Sequence, residues 1–300
     1  MHRHNSALIG ASRVHLPAGN WPTVYAFLCE HFAQVSAEQW QQRFSRGRVL
    51  DQDAQPLALD TPYQQGRRVY YFREVAKETP VPFQADILFQ NDDLLVVDKP
   101  HFLPVSPVGV YVEETLQRRL MRQLNNPQLT PIHRLDRLTA GLILFSTNPA
   151  TRDAYQRLFR QQQVKKRYEA LAAPLPALSF PRVHCSRLVK GEPFFCMQEV
   201  AGEANSETRI EVLEKQADYW RYALYPVSGK KHQLRVHLAS LGAPILNDDF
   251  YPQVLPEQVD NFSAPLQLLA TDLWFTDPVT QQPLHFKTQR HLAPLVNLAN

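Results

Sequence analysis

The sequence contains few cysteines, few glycines and no long apolar run, and each of these absences excludes a class of protein. Its three cysteines, Cys29, Cys185 and Cys196, are too few and too far apart for a disulfide framework or a zinc site. Ten glycines among 300 residues exclude collagen-like repeats and Gly/Ser linkers. No stretch reaches the roughly 18 uninterrupted apolar residues of a membrane span, and the apolar piece at residues 7–11 is too short for a secretory signal. We therefore expect a cytoplasmic monomer that is not associated with a membrane.

A large excess of one charge is also absent. The 32 basic and 29 acidic residues leave a net charge of +3, which by itself does not indicate a nucleic-acid partner. The basic residues nevertheless fall in short clusters, which could gather on one face and follow a phosphate backbone, although charge runs are more often solvated surface. The clusters are Arg43, Arg46 and Arg48; Arg67 and Arg68; Arg118, Arg119 and Arg122; Lys165, Lys166 and Arg167; and Lys230, Lys231 and Arg235.

The first part of the chain has the pattern of a small α+β module. Apolar residues at helical spacing predict a helix over residues 23–32. Ser36 with Gln39 predicts a capping box that opens a second helix. Residues 49–50 and 69–72 have the composition of short strands on either side of a turn-rich loop.

Two short helices with an arginine-rich end, followed by a strand pair and the glycine turn of SRGRVLDQDAQPL, resemble the S4-type RNA-binding module. The resemblance implies that residues 1–80 form a small RNA-binding module in which Arg43, Arg46 and Arg48 contact RNA. The residues alone also allow a small helical cap without an RNA role.

A polar, proline-containing stretch at residues 74–84 has the composition of a linker, and apolar segments dominate after it. Strands are predicted at residues 93–98, 142–145, 168–172 and 220–225, and helices around residues 154–159 and 234–241. Strands outnumber helices and are mixed with them in order, which favours an α+β domain over residues 85–300 with a large, mixed but mostly antiparallel sheet. An apolar fraction of 44% is enough for a sizeable core.

Asp136 is the strongest candidate for a catalytic residue. It lies between Arg134 and Arg137 and precedes a Thr-Ala-Gly turn that leads into an apolar strand. A carboxylate beside cations stays ionised, as a nucleophile or an electrostatic stabiliser must, and loops held by a rigid sheet often carry catalytic side chains. From the residues alone, a surface aspartate that pairs with a neighbouring arginine is the simpler interpretation.

Neither a metal site nor a nucleotide cofactor is expected. His133 with Asp136, and His232 with His237, lack the further ligands at the spacing that a metal site requires. The chain has no glycine-rich phosphate loop and no nucleophile elbow of a serine hydrolase.

Four ordered segments carry a second, more specific resemblance. They are HRLD with TAGL at residues 133–142, KRYEAL at 166–171, SGKKHQLRVHL at 228–238 with GAPIL at 242–246, and a strand that ends in DKP at 98–100. Together they resemble, from about residue 87 to residue 251, the RluA-type pseudouridine synthases. Asn247 stands where that family commonly has glycine, and Ser-Gly-Lys-Lys-His stands where it often has Thr-Gly-Arg-Thr-His. Neither departure touches the residues that carry the chemistry.

The resemblance implies a pseudouridine synthase fold with a central catalytic cleft, and an enzyme that isomerises uridine to pseudouridine in RNA. The base is detached from its N1–C1′ bond, turned and rejoined through C5, so substrate and product are isomers and no cofactor is needed. Asp136 is implied as the essential carboxylate, whether it attacks the sugar, attacks the base or abstracts a proton. Tyr168 is implied to stack on the target base, and Arg235 to pair with Asp136 and hold it ionised and oriented.

The same resemblance implies further contacts with RNA. Arg134 enters the helical stack as the uridine flips out, and Lys230, Lys231 and His232 meet phosphates. The RNA is ribosomal or transfer RNA, and nothing in the residues chooses between them. Two other classes remain open: a non-catalytic RNA-binding protein that keeps the fold, and a glycosidic-bond hydrolase, which would usually need a second carboxylate.

Overall fold

The computed structural model describes residue 8 and residues 10–72, 78–256 and 261–293. Residues 73–77, which include the start of the predicted linker, and part of the apolar piece at residues 7–11 lie outside the described residues. The chain divides into two compact units. The first comprises the described residues up to Glu78 together with Gly109–Glu113 and Arg118–Pro127, and the second comprises Thr79–Val108, Glu114–Gln117 and the described residues from Gln128 onward.

The first unit contains both helices that the sequence predicts. Its elements are β1 (Ser12–His15), α1 (Val24–His31), α2 (Ala37–Ser45), β2 (Val49–Leu50) and β3 (Arg68–Tyr71). The Thr23 hydroxyl caps α1 by accepting a hydrogen bond from the Ala26 N–H at 3.1 Å, and Ser36 and Gln39 form the expected capping box of α2. The helices pack through Phe27, Leu28 and Trp40, all fully buried, against one face of an antiparallel sheet with strand order β1-β3-β2.

The second unit is built around one large sheet. Its strands are β4 (Asp86–Gln90), β5 (Leu94–Lys99), β6 (Thr130–Pro131), β7 (Ala140–Ser146), β8 (Lys165–Ala172), β9 (Arg182–Lys190), β10 (Met197–Val200), β11 (Ser206–Lys215), β12 (Trp220–Pro226), β13 (Leu268–Thr276) and β14 (Pro283–Lys287). Its helices are α4 (Arg152–Arg160) and α5 (Gln233–Ser240), while α3 (Leu116–Gln123) contains residues of both units. The strands run in the order β10-β9-β11-β12-β8-β13-β7-β5-β4, with β14 beside β13 and β6 beside β7.

Most neighbouring strands are antiparallel, and among the described pairings β13 with β7 is the parallel one. The expected mixed, mostly antiparallel α+β fold is therefore confirmed. The apolar residues of α4 explain how one side of the sheet is covered. Tyr155 and Leu158 pack against Leu142 and Leu144 of β7, because helical spacing places them on the same face.

The register at the centre of the sheet positions the Thr-Ala-Gly turn that follows Asp136. Ala270 of β13 lies opposite both Gly141 of β7 and Tyr168 of β8. Gly141 has φ +106°, and a Cβ atom there would lie 2.2 Å from the Ala270 carbonyl oxygen. Only glycine tolerates both this backbone conformation and this close approach. The glycine of the Thr-Ala-Gly turn therefore allows β7 to meet β13, which brings Asp136 and Tyr168 to the same part of the sheet.

Among the described residues, no helix combines the length and the apolar character that crossing a membrane requires.

Candidate active site

Segments that are far apart in the chain line one cleft of about 600 Å³ in the second unit. They include the turn before β7, helix α4, strand β8, and the loop that leads into α5 together with the start of that helix. The sequence-predicted residues that line it are Arg134, Asp136, Tyr168, Lys230, His232 and Arg235. Lys231 adjoins this group, since it lies in the chain between Lys230 and His232, which both line the cleft. The structure thus brings together the predicted site residues of the second unit.

Asp136 occupies a largely buried position in this cleft. Its side chain is 18% exposed, and its oxygens lie 3.4 Å from Arg134 Nη2, 3.8 Å from His232 Nε2 and 3.9 Å from Arg235 Nη1. Burial raises the pKa of Asp136, but the nearby His232, Arg235 and Arg134 together outweigh burial and hold that pKa below its ordinary value. The carboxylate is therefore ionised at neutral pH. Because these three contacts are long, its lone pairs remain available to a substrate.

The main partner of Arg235 differs from the one that the sequence analysis expects. Arg235, only 1% exposed, donates from Nε to Asp248 Oδ2 at 2.8 Å and from Nη2 to Asp248 Oδ1 at 2.6 Å. Its guanidinium also lies 4.8 Å from the ring centre of Phe250 and 5.3 Å from that of Tyr251. The expected ion pair with Asp136 is present, with Arg235 Nη1 3.9 Å from Asp136 Oδ2, but the shorter, bidentate pair is the one with Asp248, which holds the guanidinium in place.

Asp248 is a residue of the site that sequence reasoning missed. Its Oδ1 atom also accepts hydrogen bonds from the backbone N–H groups of Phe250 and Tyr251, at 2.8 and 3.1 Å. The preceding Asn247 has φ +60°, a conformation that glycine and asparagine adopt most readily, so asparagine can replace the family's glycine without losing the turn. The sequence signal for Asp248 was the asparagine at position 247 in place of the family's common glycine, because it marks a constrained turn directly before this carboxylate.

His232 lies in the wall of the cleft, and this corrects the expectation that it meets a phosphate. The residue is 7% exposed, and its Nδ1 lies 2.8 Å from the hydroxyl of Tyr251. That hydroxyl accepts the Met197 N–H, which leaves its own proton for Nδ1. Burial lowers the pKa of His232 to about 4, so the ring is neutral at pH 7. Its Nε2–H then faces Asp136.

Tyr168 presents a half-buried ring on β8, beside the Asp136 turn. Burial, and secondly the charge of Asp136, raise the pKa of the Tyr168 phenol. The side chain therefore stays protonated at neutral pH. It combines an apolar face that can stack on a base with a hydroxyl that can exchange a proton.

Lys99 bonds to the turn that carries Asp136 and was not recognised from sequence, although the Asp-Lys-Pro segment was. Its buried ammonium donates hydrogen bonds to the carbonyl oxygens of Pro100, Leu103 and Arg137 at 2.9, 2.9 and 3.1 Å. Because Arg137 directly follows Asp136, this ammonium ties the end of β5 to the turn that carries the carboxylate.

His133 fixes the other side of the turn. Its ring stacks on Phe159 with centres 4.4 Å apart, and its Nε2 accepts the Leu144 N–H at 3.1 Å. Nδ1 then donates to the Arg134 carbonyl oxygen at 3.2 Å. Burial lowers the pKa of His133 to about 4, so this neutral arrangement persists at pH 7. His133 is a positioning residue here.

The rim of the cleft is basic. Arg134 is 58% exposed, Lys230 is exposed and Lys231 is half-buried. Lys166 donates to the Ser228 carbonyl oxygen at 3.1 Å, and burial lowers its pKa to about 8. These cations stand where a polyanion would approach Asp136.

The arginines predicted to bind RNA in the first unit do not share one environment. Arg43 is 7% exposed and its guanidinium lies 4.7 Å from the ring centre of Trp40. Arg46 and Arg48 are exposed. The expectation for Arg43 is therefore corrected: it lies one turn after Trp40 on α2 and shares the inner face of that helix.

Among the described residues, one group has the spacing of metal ligands, namely His184, Glu199 and His237. Both ring nitrogens of His237 already have hydroxyl partners, Thr208 at Nδ1 and Ser186 and Ser206 at Nε2. His184 Nε2 pairs with Glu199 at 2.8 Å. These hydrogen bonds account for the close spacing of the three side chains.

Comparison with known proteins gives a consistent result. The family model described as RNA pseudouridylate synthase matches residues 93–240. The dual-specificity RNA pseudouridine synthase RluA of Escherichia coli K12 is 35% identical over 67% of this chain and 91% of its own length. An uncharacterized RNA pseudouridine synthase of Synechocystis is 29% identical over 75% of this chain and 78% of its own length. Among solved structures, human RNA pseudouridylate synthase domain containing 4 covers 69% of this chain and 88% of its own, with 28% identity and a TM-score of 0.54.

Proposed function

Because this chain belongs to the RNA pseudouridylate synthase family and converts uridine in RNA to pseudouridine, we propose that Asp136 is its essential carboxylate and that ribosomal or transfer RNA is its substrate. Residues 85–300 are the catalytic domain in this proposal, and residues 1–80 are an RNA-binding module. We place the enzyme in the cytoplasm and expect it to act as a monomer.

The observation that carries the proposal is an ionised, largely buried carboxylate that accepts one long hydrogen bond, from Arg134 at 3.4 Å, inside a cleft with a basic rim. A carboxylate in this state can attack an electron-poor sugar or base carbon, or accept a proton, without the help of a metal. Tyr168 and Asp136 line the same cleft, and the charge of Asp136 contributes to the raised pKa of the Tyr168 phenol. A uridine that stacks on Tyr168 would therefore have its glycosidic bond near the carboxylate.

Extrusion of a uridine costs a few kcal/mol in a duplex and less in a loop. The exposed guanidinium of Arg134 supports a role in occupying the vacated space, because it is planar and stands at the cleft mouth. Lys230 and Lys231 support phosphate contacts on either side of the target.

The substrate is tested by comparing pseudouridine maps of RNA from native and gene-deletion cells. We expect at least one site in ribosomal or transfer RNA to lose its pseudouridine in the deletion strain. Purified protein should then release tritium from that RNA when the uridine carries tritium at C5. If the deletion maps were identical to the native maps, the proposed substrates would be wrong, and free uracil as the product would indicate a hydrolase.

Arg235→Lys is expected to slow single-turnover pseudouridine formation by about 100-fold, because a lysine cannot form the two hydrogen bonds that hold Arg235 on Asp248. The affinity for RNA should change little, since Arg235 is 1% exposed. The rate and the Kd are measured on the same RNA, with the exposed Arg209→Lys as a control. Equal losses in rate and affinity would contradict a positioning role for Arg235.

Arg134→Gln is expected to move the acid limb of the pH–rate profile to higher pH. Arg134 lowers the pKa of Asp136, so its removal raises that pKa, and Asp136 is then protonated and inactive at a higher pH than in the native enzyme. Single-turnover rates across the acid range measure the effect. Lys230→Gln, which removes another cleft cation that is not among the groups lowering this pKa, should leave the limb in place. If the acid limb of Arg134→Gln lay at the native pH, the limb would not arise from protonation of Asp136.

A further inference from the structure

The three-stranded sheet of the first unit has two chemically different faces. Val14 and Val69 lie opposite each other on β1 and β3 and point into the helix-covered core. The alternate positions point the other way, because successive side chains of a strand project to opposite faces. Arg13 lies opposite Tyr70, and His15 lies opposite Arg68. We call these four residues the outer face of the sheet.

The four residues of the outer face are basic or aromatic, and the neighbouring Leu50 of β2, which lies opposite Tyr70 and projects to the same side, is buried. Arg13, His15 and Arg68 are exposed and Tyr70 is half-exposed, and β1, β2 and β3 contain no acidic residue. At the edge of this face the exposed guanidinium of Arg48 lies 4.9 Å from the ring centre of Phe72. Asp51, the carboxylate that follows β2, is paired with Arg67 at 3.4 Å. The positive charge of the outer face is therefore not neutralised from within the sheet.

We infer that the outer face binds a single-stranded segment of the RNA substrate, with Arg13 and Arg68 on its phosphates and Tyr70 stacked on a base. This inference rests on the proposed function and adds a second RNA contact to the one at the end of α2, where Arg43 is buried while Arg46 and Arg48 are exposed. Proteins that hold single-stranded nucleic acid combine cations that follow the backbone with aromatic rings on which bases stack. An acidic protein surface could pair with Arg13 and Arg68 but would offer no base for the Tyr70 ring to stack on. Single-stranded RNA offers both phosphates and bases, so RNA fits this face better.

The test is RNA affinity measured by fluorescence anisotropy with a labelled single-stranded oligouridylate and the full chain. Arg13→Gln combined with Arg68→Gln should raise the Kd about tenfold, and should reduce the slope of log Kd against log salt by about 1.4, because each lost phosphate contact on a single strand counts about 0.7. Tyr70→Leu keeps an apolar side chain but removes the ring. It should raise the Kd about fivefold and leave the salt slope unchanged.

The matched control is Arg157→Gln combined with Arg187→Gln, which removes two exposed arginines of the second unit. It should leave the salt slope near the native value, and circular dichroism should show that all variants are folded. If Arg13→Gln combined with Arg68→Gln binds RNA as tightly as the control, the inference is overturned. A loss of RNA affinity in Arg46→Gln instead would assign RNA binding to the end of α2. Because binding is measured without turnover, RNA binding without pseudouridine formation would contradict the proposed function alone.

Discussion

Asp136→Asn is expected to reduce pseudouridine formation by about 10⁴-fold or more, because the amide has neither the charge nor the basicity that the carboxylate brings to the reaction. The fold should persist, since Arg235 keeps its two hydrogen bonds to Asp248. RNA affinity should stay the same or rise, because the substitution removes a negative charge from a basic cleft. Loss of activity with retained affinity is the combination expected of a residue that acts in the chemical step.

The measurement is tritium release from RNA labelled at uridine C5, under single-turnover conditions, with RNA affinity determined in parallel. Asp92→Asn is the control, because Asp92 is an exposed aspartate of the same unit. Its rate should be native. A rate for Asp136→Asn within about tenfold of the native rate would exclude Asp136 as the essential carboxylate.

Asp248→Asn is expected to have the largest effect on stability, lowering the free energy of unfolding by about 3–5 kcal/mol, because it leaves the buried guanidinium of Arg235 without its charged partner. The nearest remaining carboxylate is Asp136, 3.9 Å away. A shift of Arg235 toward it would also disturb the catalytic geometry, so activity should fall with stability. Urea unfolding, monitored by tryptophan fluorescence, measures the change in the free energy of unfolding.

A double variant separates stability from catalysis. Arg235→Met with Asp248→Asn removes both charges of the buried pair, so that no buried charge is left without a partner, and it keeps a side-chain oxygen that can accept the N–H groups of Phe250 and Tyr251. We expect this variant to unfold at or near the native urea concentration while forming pseudouridine slowly. Near-native activity in the double variant would contradict the role of the pair, and an unchanged unfolding free energy in Asp248→Asn would contradict the burial argument.

Local patterns predicted much of the fold because their physical causes are local. The capping box at Ser36 and Gln39 depends on residues three apart, and it was confirmed. The buried face of α4 follows from helical spacing and was also confirmed. Strand β1 was not predicted, because its four residues alternate between exposed basic and half-buried side chains and have no strong apolar signal of their own.

The catalytic cleft was predictable in part. The HRLD and KRYEAL segments pointed to Asp136 and Tyr168, and the structure places both in one cleft. Lys99 and Asp248 escaped recognition, because their partners lie far away in sequence or depend on an unusual backbone turn. Lys99 bonds to the Arg137 carbonyl oxygen, 38 positions along the chain, and no sequence pattern records such a contact.

By itself, the sequence determined the order of the elements, the family resemblance and the carboxylate that we propose as catalytic, since these reside in short segments of contiguous residues. Only the tertiary structure decided which charges meet. It paired Arg235 with Asp248, withdrew Arg43 and His232 from solvent, and gathered Arg13 and Arg68 on one sheet face. The physical reason is that burial and pairing depend on long-range packing and strand register. Residues of the same type therefore acquire different roles according to where the fold places them.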